Sequence, residues 1–135
     1  MLPACTSTFG IPRSQLGGSI QGTALSLTSK VTTFAGSSGG GGYLDHNTGT
    51  SASFNGPEDI TTDGTNLYVT DFSNSRIRKI VIDNGTVTTL ADSSSGSTDN
   101  NTGTSASFYR PRGITTDGTN LYVSDSDNHR IRKIE

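Results

Sequence analysis

The sequence predicts an all-β fold in which short antiparallel strands are joined by tight turns. Gly, Ser, Thr, Asn and Asp dominate the composition, whereas residues that favour helices are sparse. The stretch 60–80, ITTDGTNLYVTDFSNSRIRKI, returns almost unchanged at 114–134. Asp-Gly and Asn-Gly pairs separate the apolar runs, and such pairs are typical of hairpin turns. These three observations indicate a repeated unit made of hairpins.

The first unit, residues 57–92, contains four predicted strands with a turn signal between successive strands. Asp63-Gly64 and Asn84-Gly85 mark two of the turns, and the polar segment 71–75 marks the third. Such short connections place consecutive strands side by side in an up-and-down antiparallel sheet. The strands are predicted at 59–62, 66–70, 76–82 and 86–91.

The second unit matches the first at an offset of 54 residues. Of the 32 positions from 49 to 80, 24 are identical to their counterparts in 103–134. A repeat of this length built from four strands indicates a propeller blade or a β-solenoid coil. The second unit, 111–135, lacks a fourth strand, and residues 31–36 match 87–92 and form an unpaired strand of the fourth type. The strands of the second unit are predicted at 112–116, 120–124 and 130–134.

The remaining segments carry weaker patterns. Residues 1–30 are expected to be poorly ordered, with a short strand at 19–27 as the alternative. The tetrapeptide LPAC at positions 2–5 resembles a lipobox, so Cys5 is a candidate lipid anchor if the true start lies upstream. The linkers 37–56 and 93–110 are rich in Ser, Gly and Asn, and they are expected to be mobile and variable.

The chain resembles NHL repeat proteins through the residues NHRIR at 128–132. The likeness extends to PRGITTDG at 111–118 and LYVSD at 121–125. The first unit matches with Ser75 in place of the histidine. The resemblance covers about residues 31–135 and implies β-propeller blades, commonly six to a ring, rather than solenoid coils.

The matched positions are expected to have structural roles. Asp71 and Asp125 end the second strand, where a carboxylate accepts hydrogen bonds from N–H groups of the following turn. Arg76 and Arg130 begin the third strand and are expected to pair with acids at positions 63, 71, 117 or 125. His129 is interpreted as a turn residue. The faces between neighbouring blades are predicted to contain Ile60, Leu67, Val69, Ile77 and Ile80, and their counterparts Ile114, Leu121, Val123, Ile131 and Ile134.

A lone blade cannot bury both of its faces, so the predicted blades need neighbours. One hypothesis makes the chain part of a longer NHL repeat protein. The other makes it one third of a six-bladed ring, a homotrimer in which each copy lends residues 31–36 to the open blade of the next.

Composition gives little support to other classes of function. The formal net charge is -2, and no apolar run approaches the roughly 18 residues of a membrane-spanning helix. Two segments are rich in oxygen ligands, at 125–128 and 45–47, but they lack the spacing of a calcium loop, so no metal site, catalytic residue or cofactor is predicted. Nucleic-acid binding is disfavoured because strand alternation divides the cations between two sheet faces. These cations are Arg76, Arg78, Lys79, Arg110, Arg112, Arg130, Arg132 and Lys133.

The sequence therefore favours a non-catalytic propeller scaffold that binds a protein or a ligand through its loops, and a bacterial, extracytoplasmic protein is expected. A propeller enzyme of the lyase or hydrolase type, with a metal in a central funnel, is the first alternative. RNA binding on a basic propeller face is the second.

Overall fold

The computed structural model of the chain describes residues 24–92 and 94–135. The chain divides into two units, Met1–Thr32 and Thr33–Glu135, of which the second is compact. In the first unit the described residues, 24–32, contain no strand. The predictions for Cys5 and for most of 1–30, including the start of the strand at 19–27, lie outside the described residues. Within residues 24–92 and 94–135, no helix is long and apolar enough to cross a membrane.

Among the described residues of the second unit, seven of the predicted strands form two antiparallel sheets. The first sheet has the order β1-β2-β3-β4 and is called blade 1; the second has the order β5-β6-β7 and is called blade 2. Every strand predicted in the two repeats, 57–92 and 111–135, is present within two residues of its expected bounds. The strands are β1 (Pro57–Thr62), β2 (Asn66–Asp71), β3 (Arg76–Val81), β4 (Val87–Ala91), β5 (Pro111–Thr116), β6 (Leu121–Asp125) and β7 (Arg130–Ile134). The all-β prediction of propeller-type blades is confirmed.

The turn between β1 and β2 is stabilised by its first residue, Asp63. Its carboxylate accepts hydrogen bonds from the N–H groups of Thr65 and Asn66 and from the Tyr68 hydroxyl, at 2.7–2.8 Å. These donors stabilise the ionised form and hold the pKa of Asp63 well below its usual value. Gly64 has a φ of +93°, a conformation that glycine adopts without strain. The same turn recurs in blade 2.

The two blades pack face to face around one apolar cluster. The front face of a blade is defined here by its linker Phe and by apolar residues of its first two strands: Phe54, Pro57, Ile60, Leu67 and Val69 in blade 1, and Phe108, Pro111, Ile114, Leu121 and Val123 in blade 2. The back face of blade 1 comprises Tyr68, Ile77, Leu90 and Ala91. Residues from this back face and from the front face of blade 2 form one cluster.

The predicted strand at 31–36 is not part of a sheet among the described residues. The end of this segment nevertheless contacts the first linker in the way that the end of β4 contacts the second linker. The Gly36 N–H donates to the Gly49 carbonyl at 3.0 Å, just as the Asp92 N–H donates to the Gly103 carbonyl at 3.2 Å. Residue 36 thus has the same relation to the first linker as residue 92, just past β4, has to the second.

The expectation of loosely structured linkers is wrong for 42–55 and for 96–109. In the first, the Gly42 N–H donates to the Phe54 carbonyl at 3.1 Å and the Ser53 N–H donates to the Leu44 carbonyl at 3.1 Å. The second linker repeats both bonds at the offset of 54. The backbone groups of these linkers bond to one another, so a polar composition does not by itself indicate mobility.

Candidate binding surface

A pair of exposed arginines lies beside two aromatic rings at the junction between the blades. The β2–β3 loop supplies Phe72, the end of the second linker supplies Tyr109 and Arg110, and β5 supplies Arg112. The arginines are 52% and 53% exposed in their side chains. This set of four residues is called the arginine–aromatic cluster below.

Cation–π contacts hold the cluster together. The Arg112 guanidinium lies 4.5 Å from the centroid of the Phe72 ring. Arg110 lies 5.7 Å from Phe72 and 5.6 Å from Tyr109. Such contacts are electrostatic attractions between a cation and the negative face of the ring. They hold the two guanidinium groups beside the rings, while about half of each arginine side chain stays exposed to solvent.

Carboxylates flank the two cations. Arg112 pairs with Glu58 across the blade junction at 3.0 Å, and Arg110 lies 3.5 Å from Asp127. Both pairs are exposed, so each contributes little to stability. An incoming anion can therefore replace a flanking carboxylate at small cost.

Hydrogen bonds to buried side chains hold the backbone of the cluster in place. The Tyr109 N–H donates to the buried Asp125 carboxylate at 2.8 Å, and the Arg110 N–H donates to the hydroxyl of the buried Ser75 at 3.2 Å. Arg110 has a φ of +55°, which turns the chain at this point. The exposed arginine thus sits on backbone that the interior of the two blades holds in place.

The interior of each blade is organised by a buried arginine that the sequence did not single out. Arg78 is fully buried and donates to Asp71 at 2.8 Å and to the Ser53 carbonyl at 2.8 Å. It also donates to the Leu44 carbonyl at 3.0 Å and pairs with Asp45 at 2.7 Å. Its guanidinium lies 4.8 Å from the ring of the linker's phenylalanine. The linker therefore wraps around one cation.

Arg132 has the same role in blade 2. It donates to Asp125 at 2.8 Å and to the carbonyls of Ser107 and Thr98 at 2.8 and 2.9 Å. The sequence signal was the second Arg of each RIRK, which occupies an inward position of β3 or β7 between isoleucines. A matching signal is the acid that ends the preceding strand.

Asp71 and Asp125 end their strands and are buried, but their carboxylates do not cap the following turn through its backbone. Instead, each accepts the side-chain amide of the Asn three residues later, at 2.7 and 2.8 Å. Each also accepts the N–H of the residue after the linker Phe. The predicted position is right and the predicted partner is wrong.

Arg76 and Arg130 begin β3 and β7, but neither pairs with the acids that the sequence suggested. Arg76 pairs with Asp92 at 2.8 Å, because the pairing of β3 with β4 brings Asp92 beside it. Arg130 donates to the Ser97 carbonyl at 2.9 Å. The acids proposed as partners already accept hydrogen bonds within their own turns or from the buried arginines.

His129 follows a single-turn 3₁₀ helix and has a φ of +56°, as does its counterpart Ser75. Its N–H donates to the Ser126 carbonyl at 3.1 Å. The residue closes the loop between β6 and β7.

The two oxygen-rich segments do not form metal sites among the described residues. Asp125 faces Arg132 and Asp45 faces Arg78. The His46 Nδ1 accepts the Thr48 N–H at 2.9 Å. These three potential ligands are thus engaged within the repeat.

A cavity of about 410 Å³ opens on the front face of blade 1. Its apolar lining includes Phe34, Ala35 and Phe54 from the first linker region. The strands add Pro57, Ile60, Leu67, Val69 and Ile80.

Comparisons with known proteins agree with this architecture. Residues 108–134 match the family model of the NHL repeat. No curated protein sequence matches the chain. Solved structures do match, and the chain spans about a quarter of the length of each one described here.

Two of the similar structures are auxiliary nutrient binding proteins. The one from Bacteroides ovatus has a TM-score of 0.62 and 28% identity over 70% of this chain and 26% of its own. The one from Bacteroides thetaiotaomicron has a TM-score of 0.66 and 27% identity over 76% of this chain and 28% of its own. A candidate phosphatase of Bacteroides thetaiotaomicron has a TM-score of 0.65 and 27% identity over 76% and 26%.

Proposed function

We propose that this chain, which carries NHL repeats, is a non-catalytic propeller scaffold that binds a ligand or a protein at the arginine–aromatic cluster. The observation that carries the proposal is the contrast between two kinds of arginine. Arg78 and Arg132 are buried in structural networks, whereas Arg110 and Arg112 are half-exposed and held against aromatic rings. Exposed groups held in place on a rigid base are typical of a binding surface.

The similar structures support a binding role. Two of the three are named for nutrient binding, and all three contain much more chain than the part matched here. The scaffold would accordingly include blades beyond the two described, which a longer protein or further copies of this chain would supply.

The chemistry of the cluster defines the ligand class. Guanidinium groups donate in a planar fork that fits carboxylate or phosphate, and the rings offer a flat apolar surface beside it. We therefore expect an anionic ligand with an adjoining apolar face, such as an acidic oligosaccharide or an acidic peptide bearing aromatic residues.

Isothermal titration calorimetry with panels of acidic oligosaccharides and acidic peptides tests this function. The double variant Arg110→Gln with Arg112→Gln should weaken binding of any hit by at least about tenfold, equivalent to ~1.4 kcal/mol. Arg130→Gln is the matched control, because Arg130 is exposed on a different strand. If the double variant binds as the wild type does, the cluster is not the site.

Phosphate-ester hydrolysis is the second candidate function, and the structural similarity to a candidate phosphatase favours it. Turnover of p-nitrophenyl phosphate, measured with and without added divalent metals, tests it. Turnover that survives further purification and is lost in a Glu58→Gln or an Asp59→Asn variant on the β1 strand would replace the scaffold proposal with an enzyme.

The similar structures from Bacteroides support a bacterial origin, and nutrient binding accords with an extracytoplasmic location. We propose both for this chain. Fractionation of cells that produce the protein from its natural gene would test the location, and metabolic labelling with a fatty acid would test lipidation at Cys5.

A further inference from the structure

The two blades show what a neighbour does to the front face. Ile114 in blade 2 is 6% exposed, whereas its identical counterpart Ile60 in blade 1 is 55% exposed. The two linker phenylalanines show the same contrast, because Phe108 is buried and Phe54 is only half-buried. The residues are the same and the local strands are the same, so the difference comes from the adjacent blade. The front face of blade 1 is therefore an uncovered copy of a face that is buried 54 residues later.

The back faces show the converse relation. Ile77 on blade 1 is fully buried against blade 2, whereas its counterpart Ile131 is 74% exposed. The back face of blade 2 thus offers the isoleucine that a front face covers at the internal junction. Among the described residues, a front face and a back face are thus both uncovered, and they are chemically matched.

The segment that would complete the back face of blade 2 has a counterpart beside the front face of blade 1. At the internal junction, Leu90 and Ala91 of β4 complete the back face. Phe34 and Ala35 correspond to these residues, and Ala35 and Phe54 already pack against the cluster beneath the front face of blade 1. In the described residues, β7 pairs with a strand on its β6 side alone. Among the described residues blade 2 has three strands, while residues 33–35 lie beside the front face of blade 1.

Charge at the junction favours a second copy in a head-to-tail arrangement. Glu58 of blade 1 pairs with Arg112 of blade 2 across the junction at 3.0 Å. These two residues occupy equivalent positions in the repeat. In a head-to-tail pair of copies, Arg112 of one copy would meet Glu58 of the next, and the signs would again be opposite. Two front faces of blade 1 together would lose this pairing of Arg112 with Glu58, which disfavours a symmetric dimer.

We propose that the front face of blade 1 binds the back face of blade 2 of a second copy, and that residues 33–35 join β7 of that copy as its fourth strand. The register follows from the pairing of β3 with β4, in which Ile77 lies opposite Ala91 and Arg78 opposite Thr89. Ala35 would therefore lie opposite Ile131, and Thr33 opposite Arg132. Strand addition of this kind satisfies an open sheet edge.

One junction contact is not reproduced between copies. The Asp59 carboxylate accepts the Ile114 N–H at 2.9 Å at the internal junction, and its counterpart, Gly113, has no side chain. The hydroxyl of Thr70, which donates to the Arg112 carbonyl at 2.7 Å, is retained as Ser124. The junction between copies is thus expected to be weaker than the internal one and to dissociate on dilution.

Sedimentation of the full chain over a range of concentrations gives the first test. The expected mass is a multiple of 14.1 kDa that falls towards the monomer on dilution. Ile131→Asp should weaken association about 100-fold or more, because it places a charge in an apolar junction. Ile82→Asp is the matched control, since Ile82 is 40% exposed and does not line the front cavity. A chain that stays monomeric at about 1 mM would overturn the proposal.

Cross-linking tests the register. In a Cys5→Ser background, Ala35→Cys combined with Ile131→Cys should form a disulfide between different copies, since opposed strand positions lie within disulfide range. Ile82→Cys combined with Ile131→Cys should not. A symmetric dimer linked through two copies of one cysteine, or equal linking of both pairs, would contradict the head-to-tail arrangement.

Discussion

Replacement of Arg78 by Met should destabilise the fold more than any other substitution of one charged residue in blade 1. Arg78 is fully buried and neutralises the fully buried Asp71, from which its guanidinium lies 2.8 Å away. Met keeps much of the side-chain volume but leaves Asp71 buried without its cation. Removal of one partner of a buried ion pair costs about 3–5 kcal/mol. A domain of this size is stable by only about 5–15 kcal/mol, so the variant should be close to unfolding.

Urea denaturation monitored by circular dichroism measures this loss. Arg112→Met is the matched control, because its ion pair with Glu58 is exposed and should contribute less than about 1 kcal/mol. The double variant Arg78→Met with Asp71→Asn should recover part of the loss, since no buried charge remains unpaired. If Arg78→Met and Arg112→Met lose equal stability, Arg78 is not the centre of the blade and the reasoning fails.

Two further predictions concern the turns and the linker. Gly49→Ala should cost about 1–3 kcal/mol, because the new Cβ would lie 2.5 Å from the Phe34 carbonyl oxygen, whereas Gly39→Ala, with its nearest atom at 3.9 Å, should be nearly neutral in the same denaturation assay. The pKa of Asp117 should be about 2, because two turn N–H groups and the Tyr122 hydroxyl donate to its carboxylate. The folded pKa lies below the unfolded value, so this contribution to stability is present above about pH 4 and is lost as the pH falls towards 2. Titration of the carboxyl carbon by NMR checks the value, and a midpoint near 3.8 would refute the role of the turn.

The repeat made the blades predictable from the sequence. Strand alternation and the turn pairs at 63–64 and 84–85 are local signals, and the structure places every strand of 57–134 close to its expected bounds. Identity at an offset of 54 residues then implied that each assignment in one blade holds in the other. Local physics and repetition were sufficient for the architecture.

The partners of the charged residues were not predictable in the same way. Arg78 bonds to groups 25 and 34 residues away in the linker, and no spacing rule relates a strand to such a loop. The linker itself looked mobile because its polar residues suggest solvent exposure. Its backbone groups are instead bonded to one another and to the buried arginine. Long-range polar networks depend on the packed structure, so the sequence pattern alone does not reveal them.

The arginine–aromatic cluster was partly visible in the sequence. The adjacency of Tyr109 and Arg110 is evident along the chain, but Phe72 and Arg112 come from different blades and meet only when the blades pack. The exposure of Ile131 was also hidden, because the residue is identical to the buried Ile77 and differs only in having no neighbour.

Hydrogen exchange at the Ile114 amide tests the packing of the blades most directly. This N–H donates to the Asp59 carboxylate across the junction at 2.9 Å, whereas the Ile60 N–H donates to the same carboxylate within its own exposed strand at 2.8 Å. The measurement uses the Ile131→Asp variant, so that association between copies does not cover Ile60. Packed blades predict much slower exchange at Ile114, which is buried, than at Ile60, which is exposed. Asp59→Ala should speed exchange at both amides, because both donate to this carboxylate. Equal exchange rates at the two amides would contradict the packing of the blades.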